Sequence, residues 1–134
     1  MKSPEVQATA GCYFMAALSV LILPGNILLS FLAAATIHEL CHILALYSLH
    51  QRVVAVRLKS FGAQIMTPQL SPGQELICAA AGPFGSLLLT VFSQQMPLLA
   101  LFGLCQGVFN LIPVYPMDGG RVVRSIFLLA KMRR

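Results

Sequence analysis

One short stretch of this sequence carries three side chains that could bind and use a metal ion. The residues are His38-Glu39-Leu40-Cys41-His42, which form the pattern His-Glu-x-x-His. On a helix, residues four apart lie on the same face, so both imidazoles can reach one Zn²⁺. The glutamate between them can then reach a water on the metal and act as a general base. The pattern therefore predicts metal-dependent hydrolysis.

A catalytic zinc site usually has three protein ligands and a water, so a third ligand is expected elsewhere. The candidate side chains are Cys41, His50, Glu75 and Asp118. Cys41 points about 100° away from His42 around the helix, which favours a packing role. His50 lies at the end of an apolar run, and Glu75 flanks the next apolar run. These positions favour Asp118 as the third ligand.

Asp118 follows a segment that can fold back toward the two histidines. Pro113 and Pro116 prevent a regular helix in that segment, and the glycines at 119 and 120 allow a close approach of the backbone. The apolar run before this segment is expected to end on the same side of a membrane as the run that holds the histidines. The alternative is that Asp118 only caps the C-terminal helix, which is a common role of aspartate.

The composition predicts a lipid environment for these residues. The 134 residues are 57% hydrophobic and only 10% charged, whereas soluble domains have about 25% charged residues. Mean hydropathy is +0.81. The net charge is +5, but the nine Lys and Arg are too scattered along the chain for a nucleic-acid surface. We therefore expect a membrane protein that does not bind nucleic acid.

Apolar runs predict four membrane spans, at about residues 8–23, 27–49, 75–92 and 95–112. The second run holds the histidines and would form about 34 Å of helix, enough to cross the hydrocarbon core. The alternating pattern of residues 53–67, with a turn at Ser60-Phe61-Gly62, predicts a short β-hairpin between spans two and three. Residues 120–134 predict a helix that lies at the membrane interface. The expected fold is an all-α polytopic membrane protein that forms a single domain over residues 1–134.

The distribution of charge predicts the orientation of these spans. With four crossings, all nine Lys and Arg fall on one side, because the loops at 24–26 and 93–96 contain none. Cytoplasmic loops of membrane proteins are rich in Lys and Arg. Both termini are therefore expected to be cytoplasmic.

Two separated motifs resemble those of a known family. The His-Glu-x-x-His pattern within a span, together with Asn-Leu-Ile-Pro-Val-Tyr-Pro-Met-Asp-Gly at residues 110–119, resembles the motifs of the site-2 protease (M50) intramembrane metalloproteases. The Ala81-Gly82-Pro83 element and the predicted hairpin resemble the smaller relatives of the sporulation factor IV FB type. Ser86 departs from this pattern, because such relatives often have asparagine there.

The resemblance implies one Zn²⁺ per chain, bound by His38, His42 and Asp118, with Glu39 as the catalytic residue. It also implies a role for Asn110 near the substrate or the oxyanion. The implied function is that of a zinc-dependent intramembrane endopeptidase. Such an enzyme hydrolyses a peptide bond in or near a transmembrane segment of a membrane protein substrate, as in regulated intramembrane proteolysis. The implied location is a bacterial cell membrane.

Two other functions stay open at this point. A catalytically inactive homologue could act as a membrane scaffold, and its function would then survive Glu39→Gln. A metal transporter component could use His38, His42 and Asp118 along a path. That function would need further polar residues across the outer half of the membrane, and spans one and three offer almost none.

Overall fold

The computed structural model describes residues 5–59 and 62–133 and shows a mostly helical protein with one small sheet. Five helices are present in this part of the chain: α1 (Ala10–Ile22), α2 (Gly25–Ser48), α3 (Pro72–Leu88), α4 (Pro97–Asn110) and α5 (Asp118–Met132). A 3-10 turn at Leu89–Phe92 continues α3. Three strands complete the fold: β1 (Glu5–Ala8), β2 (Ala55–Lys59) and β3 (Gly62–Met66).

Helices α1 to α4 fall on the four apolar runs of the sequence. Two of them are long and apolar enough to cross a membrane, namely α2 and the 21-residue stretch of α3 with its 3-10 continuation. The other two are apolar but shorter, with 13 residues in α1 and 14 in α4. At 1.5 Å per residue each of these is about 20 Å long, less than the hydrocarbon thickness of about 30 Å. The structure thus shows two candidate membrane helices where the sequence predicts four.

The sheet contains the predicted hairpin and one further strand. β2 pairs antiparallel with β3, with Val56 opposite Ile65, while the predicted turn residues Ser60 and Phe61 lie outside the described part of the chain. β1 pairs in parallel with the other edge of β2. The sequence pattern does not predict β1 and places residue 8 in the first span. A four-residue strand beside a long apolar run has too few residues to show a period of two.

Two helices begin earlier than the apolar pattern predicts, and polar residues cap the start of one of them. α3 begins at Pro72 rather than at residue 75. The Ser71 hydroxyl accepts a hydrogen bond from the Gln74 N–H, and the Gln74 side chain accepts one from the Ser71 N–H. This reciprocal pair is a capping box, which satisfies two N–H groups of the helix start. α5 begins at Asp118, two residues before the predicted position.

Helix α3 occupies the middle of the helical layer and contacts α2, α4 and α5. α4 approaches α3 closely through two glycines. A Cβ atom at Gly103 would lie 2.6 Å from the Ser86 carbonyl oxygen, and one at Gly107 would lie 3.2 Å from that of Pro83. Small residues four apart are a common means of close helix packing in membranes. This arrangement allows α3 to contribute to the site described below.

Candidate active site

Helix α2 brings the two predicted histidine ligands together on one buried face. His38 is 3% exposed and His42 is 5% exposed. Their rings are nearly perpendicular, with an angle of 82° and centroids 4.8 Å apart. The two Nε2 atoms are 3.2 Å apart. The spacing of four residues on one helix therefore produces the convergence that the sequence predicts.

Asp118 joins the histidines from the start of α5. Its Oδ2 atom lies 3.2 Å from Nε2 of His38 and 3.1 Å from Nε2 of His42. Met117, not Asp118, occupies the N-cap position of α5 and makes no side-chain capping hydrogen bond. The buried carboxylate of Asp118 therefore contacts the imidazoles, and the alternative of a purely capping aspartate is not what the structure shows.

The three converging atoms fit a zinc ion. They form a nearly equilateral triangle with sides of 3.1 to 3.2 Å. Tetrahedral Zn²⁺ with bonds of about 2.0 to 2.1 Å places its ligands about 3.3 Å from one another, so only a small expansion of the triangle is needed. Among the residues that the structure describes, His38, His42 and Asp118 are the group of His, Cys, Asp and Glu side chains able to bind a metal together.

The other ring nitrogen of each histidine also has a partner. Nδ1 of His42 donates to the Cys78 carbonyl oxygen at 2.7 Å. A carbonyl can only accept, so the neutral His42 ring keeps a lone pair on Nε2, directed at the triangle. Nδ1 of His38 lies 2.8 Å from the Ser86 hydroxyl oxygen, where the same donation is possible. Such partners orient metal-binding histidines in known sites.

One face of α3 forms the wall of this site. Glu75, Cys78, Gly82 and Ser86 follow one another at helical spacing, and three of them are small or contribute through the backbone. A Cβ atom on Gly82 would collide with Nε2 of His42, and it would lie 2.9 Å from Cε1 of His38. From sequence alone, Gly82 and Ser86 are interpreted as packing residues. Their helical spacing after Glu75 indicates that these residues share one face of α3. It does not indicate which helix that face contacts.

The second oxygen of Asp118 has a different partner from the first. Oδ1 accepts from Nη1 of Arg121 at 3.3 Å, and Nε of Arg121 lies 3.5 Å from Oε1 of Glu75. Glu75, one of the candidate ligands, thus pairs with arginine. Burial opposes ionisation of Asp118, but imidazole rings that are protonated on both nitrogens donate from Nε2 to its carboxylate, and these contacts of His38 and His42 keep the pKa of Asp118 below its usual range.

Three other candidate residues, Glu39, Asn110 and Cys41, lie outside the triangle of converging atoms. Glu39 is half-buried on α2 beside His38. Asn110 is the last residue of α4, and its side-chain amide donates to the Gln106 carbonyl at 3.0 Å. Cys41 packs on α3, where a Cβ atom at Gly85 would collide with its Sγ. The roles of Glu39 in catalysis and of Asn110 near the oxyanion stay predictions.

His50, the other candidate ligand, lies two residues after the end of α2. Its φ angle is 55°, in the left-handed region. The N–H of Gln51 donates back to the Leu46 carbonyl at 2.9 Å, a bond that closes the last helical turn. This is the position where helices commonly have glycine. His50 therefore has a structural position at the helix end.

The chain is similar in sequence to several zinc metalloproteases. It is 34% identical over 110 residues to a proposed zinc metalloprotease of Synechocystis, and 31% identical over 107 residues to a zinc metalloprotease of Methanocaldococcus jannaschii. It is also 31% identical over 113 residues to the proposed zinc metalloprotease Rip3 of Mycobacterium tuberculosis. These matches cover 69% to 70% of this chain but only 29% to 32% of the relatives. No family model matches the chain.

A solved structure agrees with these relatives. The fold matches the site-2 protease from Methanocaldococcus jannaschii with a TM-score of 0.73 and 25% sequence identity, over 91% of this chain and 66% of that one. The fold and the relatives together indicate a protein of the site-2 protease type of zinc metalloprotease. The chain belongs to the site-2 protease (M50) family, and Zn²⁺ is its cofactor.

Proposed function

We propose that this chain is a zinc-dependent endopeptidase that hydrolyses a peptide bond in or near a transmembrane segment of a membrane protein. The observation that carries the proposal is a buried triangle of polar atoms: two imidazole nitrogens on an apolar helix of 24 residues and one carboxylate oxygen from the start of α5. Buried polar groups in a membrane helix are costly and usually serve a function. The subgroup of the sporulation factor IV FB type stays a prediction.

The proposed mechanism assigns one role to each site residue. His38, His42 and Asp118 would bind Zn²⁺, which when present supplies a Lewis acid that polarises the scissile carbonyl and lowers the pKa of water toward about 7. Glu39 accepts a proton from the attacking water and returns it to the leaving amine. The amide of Asn110 donates to the developing oxyanion.

The proposed membrane arrangement retains four crossings, by α1 to α4, in one membrane-embedded metalloprotease domain. His38 and His42 lie ten and six residues before Ser48 at the end of α2. At 1.5 Å per residue, these distances place them about 15 and 9 Å from that end. The charge distribution puts that end on the cytoplasmic side. The active site then lies within the membrane, accessible from the cytoplasmic side.

Helix α5 is the element proposed to lie at the interface. Its buried face begins at Asp118 and includes Ser125, and it packs on α3. On the open side of the helix, Ile126 and Phe127 are exposed, and so is the cationic side chain of Arg124. A helix with an apolar strip beside cations suits the boundary between headgroups and acyl chains.

The sheet offers a place for an unwound substrate segment. Hydrolysis requires access to a backbone carbonyl, and a helical substrate uses its carbonyls in its own hydrogen bonds. β2 is paired on both sides, so β1 and β3 provide the outer edges of the sheet within the described residues. An extended segment can add to such an edge through main-chain hydrogen bonds. The alternative is that residues 53–67 only connect α2 to α3.

Mapping of new protein N-termini in membranes tests the proposal. Cells that express the wild-type chain are compared by mass spectrometry with cells that express Glu39→Gln, which keeps the three proposed ligands. Cleavage within or beside transmembrane segments is expected only with the wild type, while both proteins retain zinc. Identical N-termini in the two samples would contradict the proposal. In that case, zinc uptake by vesicles containing the purified protein would favour a transporter component.

A further inference from the structure

Arg121 contacts both the proposed metal ligand and an acidic residue of another helix. Its Nη1 donates to Oδ1 of Asp118 at 3.3 Å, and its Nε lies 3.5 Å from Oε1 of Glu75. The exposed fraction of the side chain is 29% for Arg121, 22% for Glu75 and 10% for Asp118. The three residues therefore form a partly buried chain of opposite charges between the first turns of α3 and α5.

In this arrangement the two carboxylate oxygens of Asp118 contact different partners. Oδ2 faces Nε2 of His38 and Nε2 of His42, while Oδ1 faces the guanidinium of Arg121. A carboxylate can bind a metal through one oxygen or through both. With Oδ1 paired to a cation, only Oδ2 is available on the side of the histidines.

We propose that Arg121 is a positioning residue of the zinc site, which makes Asp118 bind through Oδ2 alone, and that Glu75 holds Arg121 in place. This inference rests on the proposed binding of zinc by Asp118. Neither residue contacts His38 or His42 through any described hydrogen bond or ion pair, so both act on the metal through Asp118. The motifs in the sequence do not indicate this role for Arg121 or Glu75.

The chemistry of arginine suits this role. The planar guanidinium presents several N–H donors in a rigid arrangement, so one side can pair with Asp118 while another pairs with Glu75. Glu75 lies one turn before Cys78, whose carbonyl orients His42. The same face of α3 would then position both a histidine and the aspartate. Partners of metal ligands typically change metal affinity about tenfold to a hundredfold when they are removed.

Zinc affinity and Co²⁺ spectra of the purified full chain test the inference. The variants are Arg121→Gln, Arg121→Lys, Glu75→Gln and the pair of Glu75→Gln with Arg121→Gln. The matched control is Arg124→Gln, which removes an exposed cation one turn along the same helix. Asp118→Ala tests the zinc site itself. Dissociation constants are measured by competition with a chelator, and far-UV circular dichroism shows whether each variant is folded.

Arg121→Gln is expected to weaken zinc binding about tenfold to a hundredfold, Glu75→Gln to weaken it less, and Arg124→Gln to leave it unchanged. The double variant should match Arg121→Gln alone, because Glu75 acts through Arg121. The absorption of bound Co²⁺ should change in Arg121→Gln, since Asp118 can then bind through both oxygens. A loss of helix stability alone would not change that spectrum in the folded protein.

Zinc affinity of Arg121→Gln within about twofold of wild type, with an unchanged Co²⁺ spectrum, would overturn the inference. If Asp118→Ala abolished binding in the same assay, the proposed zinc site would still stand. Equal binding by wild type and Asp118→Ala would instead contradict the proposed function. If Arg121→Gln does not fold, the zinc affinities of Glu75→Gln and Arg121→Lys test the inference instead. Wild-type zinc affinity in both of these variants would overturn it.

Discussion

At the scale of single residues, the site depends on how closely α3 passes the two imidazoles. A Cβ atom on Gly82 would lie 2.5 Å from Cε1 of His42 and 2.9 Å from Cε1 of His38, closer than side-chain atoms pack. The partners of the rings, the Cys78 carbonyl and the Ser86 hydroxyl, come from the same helix. Any residue larger than glycine at position 82 must therefore displace α3 or the imidazoles.

Gly82→Ala is expected to weaken zinc binding about tenfold or more, because it moves the histidines away from their orienting partners. Chelator competition on the purified variant measures the effect. The control is Gly73→Ala in the first turn of the same helix, where an added Cβ meets no atom within 4 Å. Equal zinc affinity of Gly82→Ala and wild type would show that α3 does not pass so close to the imidazoles.

The residues of the site differ in how far sequence could predict them. His38 and His42 are four apart on one helix, so their convergence follows from local geometry alone. Asp118 was favoured because prolines and glycines before and after it suggested a chain reversal. Ser86 and Arg121 could not be found in this way, since their contacts depend on how α3 packs against α2 and α5.

At the scale of elements, the end of α2 contains a residue in an unfavourable backbone conformation. His50 has φ of 55°, where the Cβ of a residue other than glycine costs about 1 kcal/mol. The geometry matches a helix end closed by the Gln51 N–H and the Leu46 carbonyl. Glycine at position 50 would adopt the same conformation without that cost.

His50→Gly is expected to stabilise the folded protein by up to about 1 kcal/mol and to leave zinc affinity unchanged. Thermal unfolding in detergent shows the first effect as a higher midpoint, and chelator competition shows the second. His50→Ala is the matched control, because it removes the imidazole but keeps the Cβ. A loss of zinc binding in both variants would identify His50 as a metal ligand and refute its purely structural role at the helix end.

The sequence pattern predicted several of the helices and strands, and there are physical reasons why it missed or misplaced the others. The alternation in residues 53–67 predicted β2 and β3, and the apolar runs predicted the places of α1 to α4. β1 was missed because it depends on pairing with β2, which lies about 50 positions later in the chain. The start of α3 was misplaced because hydropathy does not include polar starting residues such as Ser71.

At the scale of the whole molecule, the distribution of charge has a consequence for topology. The loops at residues 24–26 and 93–96 contain no Lys or Arg, whereas cations lie before and within the strands and along α5. Four crossings would place all the cations on one side. An odd number of crossings would divide them between the two sides. The number of crossings depends on whether the short helices α1 and α4 each cross the membrane.

Thiol labelling in intact cells tests the four crossings. The four native cysteines are replaced by alanine, and a single cysteine is introduced by Gln95→Cys or by Lys131→Cys. A membrane-impermeant maleimide should label the first variant in intact cells and the second only after permeabilisation. The chain without an introduced cysteine gives the background. Labelling of both positions from the same side would show that α4 does not complete a crossing.

The central claim is that His38, His42 and Asp118 bind one Zn²⁺. Metal analysis of the purified chain, combined with X-ray absorption at the zinc edge, measures it most directly. We expect one zinc per chain with two imidazole ligands at about 2.0 to 2.1 Å, and loss of tight binding in Asp118→Ala. Tight binding of one zinc by Asp118→Ala, with the wild-type absorption spectrum, would contradict the claim.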